Sequence, residues 1–354
     1  MATRVRPAAS GAASVVESPP PALRVLAVAA WPVRKLLGGL DSLVAVLDRN
    51  PVSNATGAVR VRRGLAALIT VFAVIYEMQS ALHGSVISPV AILMLMVAFA
   101  VYTNRGGRFL RDWVPVVLVL VAYGATVSAV PSLGLGIHYL PQIDADRVLG
   151  FGTLPTAWLQ DHLYHGATGP LEVFSVGMYL SHFIAPLLLA FLIWAAWNGR
   201  GFADLLFGLL VVSILGSITF LLAPTAPPWL AAEQGLIAPI HPIIKDGLID
   251  LHLNTLAAHK GDASSYNVAA AIPSLHVAWP VLALLVIRKH RLPRWLLAVQ
   301  GLLTAGVVFA VVYTGEHYVV DAVVGIFYAL AAWWLLQRAL GAGHVLRAAA
   351  ATSD

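Results

Sequence analysis

Residues 275–336 read LHVAWPVLALLVIRKHRLPRWLLAVQGLLTAGVVFAVVYTGEHYVVDAVVGIFYALAAWWLL and contain three apolar runs. Each run approaches the ~20 residues that an α-helix needs to cross a bilayer. The basic turn RKHRLPR at 288–294 separates the first two runs, and the segment GEHYVVD at 315–321 precedes the third. Titratable groups are costly inside a membrane, so we expect those in this stretch to be functional.

The composition of the whole chain agrees with a membrane protein. Of the 354 residues, 59% are hydrophobic and only 11% are charged, and the mean hydropathy is +0.81. A soluble domain is normally about 25% charged. Apolar runs predict eight helices, at about 64–82, 86–102, 112–130, 173–197, 204–222, 275–289, 295–314 and 317–337. The predicted fold class is therefore all-α, a polytopic integral membrane protein with about eight transmembrane helices.

Four regions are predicted along the chain. Residues 1–63 are expected to form a cytoplasmic arm, largely disordered or interfacial, and residues 64–130 to form additional N-terminal transmembrane helices and the start of the core. Residues 131–340 are interpreted as the catalytic membrane domain, and 341–354 as a cytoplasmic tail. The chain has no cysteine, so a disulfide, a thiolate metal site and a cysteine nucleophile are excluded.

The distribution of basic residues predicts the orientation in the membrane. The net charge is +5, and nineteen of the twenty-two Lys and Arg residues lie in segments on the side of the N-terminus. Only Arg147, Lys245 and Lys260 lie on the opposite side. This asymmetry is typical of cytoplasmic segments. We therefore expect a multi-pass protein of the cell membrane with both termini cytoplasmic, and we expect no nucleic-acid partner, because the basic residues mark orientation.

Two connections on the opposite side carry further signals. The run TAWLQDHLYH at 156–165 is amphipathic, which favours an interfacial helix anchored by Trp158 and Tyr164, or alternatively a substrate gate. The segment APTAPPW at 223–229 has three prolines in six positions and cannot continue the preceding helix. Both connections begin on the side that is predicted to be extracytoplasmic.

The motif AIPSLH at 271–276 is typical of a helix N-terminus. Pro273 suits a helix start and Ser274 is a good N-cap. Backbone N–H groups of a first turn, here from Leu275 onward, favour a phosphate oxyanion, and the Ser274 hydroxyl adds a donor. His276 in this turn has the chemistry to give a proton to a leaving oxygen, although an ordinary serine cap beside an interfacial histidine would look the same.

The second motif pairs a histidine with a carboxylate. His317 and Asp321 are four residues apart and share a face if both are helical. A carboxylate that accepts from Nδ1–H leaves Nε2 free as a nucleophile. Because one inward and one outward crossing separate the two motifs, His276 and His317 are predicted at the same membrane face. Tyr179 and His182, three residues apart in the fourth predicted helix, are candidates for substrate contact there, with a satisfied buried histidine as the alternative.

The spacing of PSLH and HYVVD resembles the second and third signatures of the type 2 phosphatidic acid phosphatase superfamily. APTAPPW and the aromatic residue after His317 are similar to its inositol phosphorylceramide synthase branch. The resemblance covers about residues 140–335, six of the eight helices. It implies a six-helix phosphatase-like core, with His317 as a nucleophile that forms a phosphohistidine, Asp321 as its orienting partner and His276 as general acid.

Two departures from the hydrolytic members of that superfamily bear on the activity. Those members have a Lys/Arg-Pro signature where this chain has APTAPPW, and an arginine where this chain has Val311. Backbone N–H groups, Ser274, and Lys245, Lys260 or Arg147 would then have to hold the phosphate. Glu316, beside His317, would repel a phosphate if ionised.

We therefore expect a phosphotransferase that acts on a lipid-linked phosphate or phospho-headgroup at the extracytoplasmic face, with a lipid or polyol acceptor. The alternative is a lipid-phosphate or polyprenyl-diphosphate phosphatase that uses the same site. No metal or cofactor is expected, because the outer histidines lack ligand-like spacing. A proton-relay transporter is disfavoured, since the helices that begin at His276 and His317 continue as apolar runs.

Overall fold

The computed structural model describes residues 56–83, 88–129, 136–197, 199–261 and 270–351. Most of the predicted N-terminal arm, residues 1–55, lies outside the described residues. Within the described ranges, the chain forms α-helices without any extended strand, and Thr225 makes isolated bridges to His138 and Ala270.

The helices of the described residues are numbered here in chain order. They are α1 (Thr56–Leu82), α2 (Pro89–Tyr102), α3 (Gly106–Ala129), α4 (Leu140–Leu149), α5 (Pro155–Leu163), α6 (Pro170–Leu192), α7 (Gly199–Leu222), α8 (Pro228–Glu233), α9 (Ile243–Asp250), α10 (Asn254–Gly261), α11 (Leu275–Lys289), α12 (Arg294–Tyr313) and α13 (Val319–Ala351). A π-helical turn, Ile193–Trp197, continues α6. The eight predicted apolar ranges coincide with α1, α2, α3, α6, α7, α11, α12 and α13.

Five helices of the described residues are long and apolar enough to cross a membrane. They are Val59–Leu82, Pro170–Ala196, Gly199–Leu222, Arg294–Tyr313 and Val319–Arg338. With 14 and 15 residues, α2 and α11 are shorter than the ~20 residues of a full crossing. The predicted class, an all-α polytopic membrane protein, is confirmed, and the count of eight crossings stays a prediction.

The short helix α11 lies at the centre of the bundle. It packs against α6, α7, α12 and α13. Val277, Ala278, Leu282 and Val286 on it are completely buried, which explains why its sequence is apolar on every side. The first turn of α11, where Ser274 and His276 lie, is therefore surrounded by other helices and not by lipid.

A polar cluster joins three helices at the far end of α11. The Asp204 carboxylate of α7 accepts from Lys289 Nζ and lies against His290 Nε2, both at 2.8 Å. Lys289 also donates to Gln337 of α13. These bonds join the start of α7, the end of α11 and the middle of α13, at the opposite end of α11 from His276.

The predicted amphipathic run at 156–165 forms α5. Trp158 is 51% exposed, whereas the polar side chains of Thr156 and Gln160 are buried. The face of α5 that packs against the protein is therefore partly polar. The proline-rich segment 223–229 lies between His138 on one side and residues 270–271, which precede α11, on the other. Ala226 N–H donates to the His138 carbonyl, and the Thr225 carbonyl accepts from the backbone N–H at position 271.

Candidate active site

The first motif lies where α11 begins. Ser274 occupies the N-cap position, as predicted, but its hydroxyl makes no capping hydrogen bond. The residue is completely buried and its Oγ has no hydrogen-bond partner among the described residues, while its backbone N–H donates to the carbonyl oxygen of Asp321 at 3.1 Å. A hydroxyl beside the free N–H groups of a helix N-terminus can donate to a phosphate oxygen.

The two motif histidines are in direct contact. His276 Nδ1 lies 3.2 Å from His317 Nε2, and one of the two nitrogens donates, depending on the tautomers. His317 is only 4% exposed, while His276 is partly exposed. The structure therefore brings together the predicted nucleophile and the predicted general acid, which are 41 residues apart in the chain.

Asp321 lies behind His317, on the side of its other ring nitrogen. Asp321 Oδ2 is 3.5 Å from His317 Nδ1 and accepts from the Tyr318 N–H at 2.9 Å. The carboxyl group is completely buried. The prediction that His317 itself is helical is wrong, because α13 begins at Val319 and His317 lies in the turn before it. The pairing of the two side chains is nonetheless present.

The turn that carries His317 is a helix C-terminal motif. Gly315 follows α12 with a φ of +77°, a conformation that glycine adopts without strain. The Gly315 N–H donates to the Val312 carbonyl and the Glu316 N–H to the Val311 carbonyl, which are the two bonds of a Schellman motif. His317 N–H also donates to Val311 at 2.9 Å. The backbone carbonyl of Val311, the position where the hydrolytic members have an arginine, thus accepts a hydrogen bond from the backbone of His317.

Three buried side chains that the sequence analysis did not select support this turn. Gln160 Nε2 on α5 donates to the carbonyl of Tyr313, the last residue of α12, at 2.9 Å. The Tyr313 hydroxyl donates to Glu172 of α6, whose other oxygen accepts from the Gly169 N–H. Of these three side chains, only Gln160 could have been found from the sequence. Thr156 and Gln160 are four residues apart and share one face of the amphipathic helix α5.

Tyr179 and His182 contact the ring of His276. The Tyr179 ring stacks on it at a centroid distance of 4.7 Å, and the His182 ring lies at 4.3 Å. His182 in turn stacks on Trp279 at 4.5 Å. Both α6 residues are more than nine-tenths buried. Tyr179 and His182 thus lie beside the histidine pair, and both contact the ring of His276.

The other predicted phosphate-binding residues lie less close to the histidines. The side chain of Leu275 packs in an apolar cluster with Val212 and Phe220, so that only its backbone faces the first turn of α11. Lys245 is exposed on α9, and Arg147 forms an ion pair with Asp144 at 3.9 Å. The structure does not describe the side chain of Lys260. Within the described ranges, no group of three or more His, Asp or Glu side chains could hold a metal ion.

Comparisons with known proteins identify the family of this chain. A family model described as the PAP2 superfamily matches residues 140–335. A curated relative from Bacteroides thetaiotaomicron, named phosphoinositol dihydroceramide synthase, is 26% identical over 200 residues, which are 54% of this chain and 64% of the relative, less than two thirds of its length. No solved structure matches the chain. The relative's name agrees with the branch that the sequence motifs resemble.

The family match contains every residue that builds the site. The two histidines in contact, the buried Asp321 and the unpaired hydroxyl of Ser274 all lie between residues 140 and 335. The matched region is more than half of the 354 residues. On this match, which covers both histidine motifs, the chain belongs to the PAP2 superfamily.

Proposed function

We propose that the protein is a membrane phosphotransferase that acts on a lipid-linked phosphate through a phosphohistidine on His317. The observation that carries this proposal is the contact of His276 Nδ1 with His317 Nε2 at 3.2 Å, with Asp321 behind His317 Nδ1. The name of the relative, phosphoinositol dihydroceramide synthase, supports phosphoinositol as the transferred group and a ceramide-type alcohol as the acceptor.

In the first half-reaction, His317 Nε2 attacks phosphorus. The bond from phosphorus to the lipid alkoxide breaks, and His276 gives its proton to the departing oxygen. The Asp321 carboxylate stabilises the positive charge that develops on the His317 ring as the N–P bond forms. Since phosphorus must come between the two imidazoles, their contact in the ligand-free site has to open when the substrate enters.

In the second half-reaction, the acceptor hydroxyl gives its proton to His276 and attacks phosphorus. The N–P bond breaks and its electron pair returns to His317 Nε2, which restores the free enzyme. A lipid or polyol acceptor makes the enzyme a transferase, and water makes it a phosphatase. Val311 supports transfer, because the hydrolytic signature has an arginine there and this chain has a completely buried valine.

The phosphate oxygens are expected at the N-terminus of α11. The Ser274 hydroxyl is buried without a partner, and the backbone N–H groups of the first turn point toward the same end of the helix. Donors that are fixed before the substrate binds stabilise developing negative charge without reorganisation. The lysine and arginine side chains that the sequence analysis considered are not needed for this arrangement. The distribution of basic residues supports an extracytoplasmic position for this site.

The test is to trap the intermediate in purified protein. Wild type, His317→Ala and His276→Ala are incubated with phosphatidylinositol labelled in its phosphate, with and without dihydroceramide. We expect acid-labile label on wild type, no label on His317→Ala and slow labelling of His276→Ala. The exposed His162 on α5 provides a matched control, and His162→Ala should behave as wild type.

Two results would contradict the proposal. Turnover by His317→Ala equal to that of wild type would exclude the histidine nucleophile. Release of the labelled headgroup into water at the same rate with and without any alcohol acceptor would keep the nucleophile but make the protein a hydrolase.

A further inference from the structure

Asp146 of α4 is a completely buried carboxylate that the reaction described above does not use. Its Oδ1 accepts a hydrogen bond from the Val320 N–H at 2.8 Å, although 174 residues separate the two in the chain. Val320 is the second residue of α13. The first N–H groups of a helix have no partner within the helix, and a carboxylate there also interacts favourably with the helix dipole. Asp146 thus caps α13 from another helix.

The capped helix starts next to the nucleophile. His317 lies two residues before α13, and Asp321 lies in its first turn. The two carboxylates divide the available donors, since Asp321 accepts from the Tyr318 N–H and Asp146 from the Val320 N–H. The N-terminus of α13 is therefore occupied by protein carboxylates, which leaves the N-terminus of α11 for the phosphate.

The contact between α4 and the His317 turn is also apolar. Ile143 of α4, Leu154 and Ala231 form one buried cluster with the ring of Tyr318, the residue after His317. Tyr318 is completely buried, and burial raises the pKa of its hydroxyl, with the carboxyls of Asp321 and Asp146 raising it further. The side of the turn away from His276 is thus filled by α4 and its neighbours, with Asp146 as the hydrogen-bonding group.

We propose that Asp146 is a positioning residue, which holds the first turn of α13 and thereby fixes His317 and Asp321 relative to His276. The inference rests on the proposed role of His317. Without the cap, the first turn of α13 can fray, and the His317 ring and the Asp321 carboxylate behind it no longer have fixed positions relative to His276. Since Asp146 bonds to α13 and the predicted phosphate site is the N-terminus of α11, its loss should lower kcat and leave KM nearly unchanged.

The test compares three variants of the full-length protein in detergent. Asp146→Ala removes the acceptor, Asp146→Asn keeps an acceptor oxygen but loses the charge, and Asp144→Ala is the matched control, because Asp144 lies on the same helix with its side chain 71% exposed. We expect a fall in kcat of about 10- to 100-fold for Asp146→Ala with KM within about 2-fold, since small misplacements of reacting groups have effects of this size. Asp146→Asn should recover part of the loss, and Asp144→Ala should match wild type.

A purely structural role would move different quantities. In that case the melting temperature falls, while kcat per folded molecule stays at the wild-type value in both Asp146 variants, and this result would overturn the inference. Equal losses of kcat in Asp146→Ala and Asp146→Asn would also overturn it. The comparison uses steady-state turnover and does not depend on trapping a phosphohistidine, so failure of the proposed intermediate would be seen separately, in the His317→Ala experiment.

Discussion

Replacement of Gly325 by alanine should separate α13, which carries Asp321, from α11, which carries His276. Gly325 lies on α13, four residues after Asp321, and it faces the backbone at the start of α11. A Cβ atom there would lie 2.4 Å from the Ser274 carbonyl oxygen and 3.3 Å from its carbonyl carbon. Both atoms belong to backbone, so no side-chain rotation relieves the overlap. Small residues allow such close approach of helices in membranes.

The size of the effect follows from the distances. Ordinary contacts of a Cβ atom begin at 3.4 Å, so α13 must move away from α11 by about 1 Å. The same movement displaces Asp321 and the preceding turn with His317 from their present positions relative to His276. A displacement of this size costs about 100-fold in rate, and the overpacking destabilises the fold by about 1–3 kcal/mol.

Gly301→Ala provides the matched control for this substitution. Gly301 lies within α12, and no atom lies within 4 Å of a Cβ placed on it. Alanine there should stabilise the protein by about 0.5–1 kcal/mol and leave turnover unchanged. The assay is transfer of labelled phosphoinositol in detergent, together with thermal unfolding. Wild-type turnover by Gly325→Ala, or a melting temperature as high as that of Gly301→Ala, would refute the reasoning.

Three further predictions concern the orienting carboxylate, the cap and the orientation in the membrane. Asp321→Asn should lower kcat on the order of 100-fold or more with little change in KM, because the His317 tautomer and its developing charge lose their partner; steady-state kinetics measure this, and wild-type kcat would contradict it. Burial raises the pKa of Asp146 from 3.8 to about 6, so the folded protein favours the neutral carboxyl more than the unfolded chain does. The stability that comes from this preference is complete below pH 3.8 and is lost as the pH rises through about 6. The unfolding free energy of wild type relative to Asp146→Asn should therefore fall by up to about 3 kcal/mol between pH 4 and 7, measured by thermal unfolding, and a flat difference would contradict this. Because the chain has no cysteine, Val148→Cys should react with an impermeant maleimide on intact cells and Arg294→Cys should not, and the reverse pattern would overturn the predicted orientation.

The helices and the two histidine motifs were predictable from local signals. Hydropathy alone locates α11 between Leu275 and Lys289, and the two histidine motifs fall at helix starts that meet in the structure. The helical position of His317 was predicted wrongly. Gly315 ends α12 with its own hydrogen-bonded motif, which moves the start of the next helix to Val319.

The supporting contacts were not predictable from one sequence, because each joins distant parts of the chain. The bond from Gln160 to the Tyr313 carbonyl spans 153 residues, and that from Val320 to Asp146 spans 174. Neither a periodicity nor a motif marks such a pair. In the sequence, Asp146 looks like one of several charged residues in a polar connection, and only its burial in the folded protein distinguishes it from Asp144.

The burial of Val311 has an evolutionary consequence. Its side chain belongs to an apolar cluster with Val176, Ile244 and Val277, and each of the four is no more than 1% exposed. Arginine at this position would bring a guanidinium into that cluster, and an uncompensated buried charge costs several kcal/mol. Arginine at position 311 would therefore require changes among these buried neighbours as well, so a single substitution cannot install the hydrolytic signature in this fold.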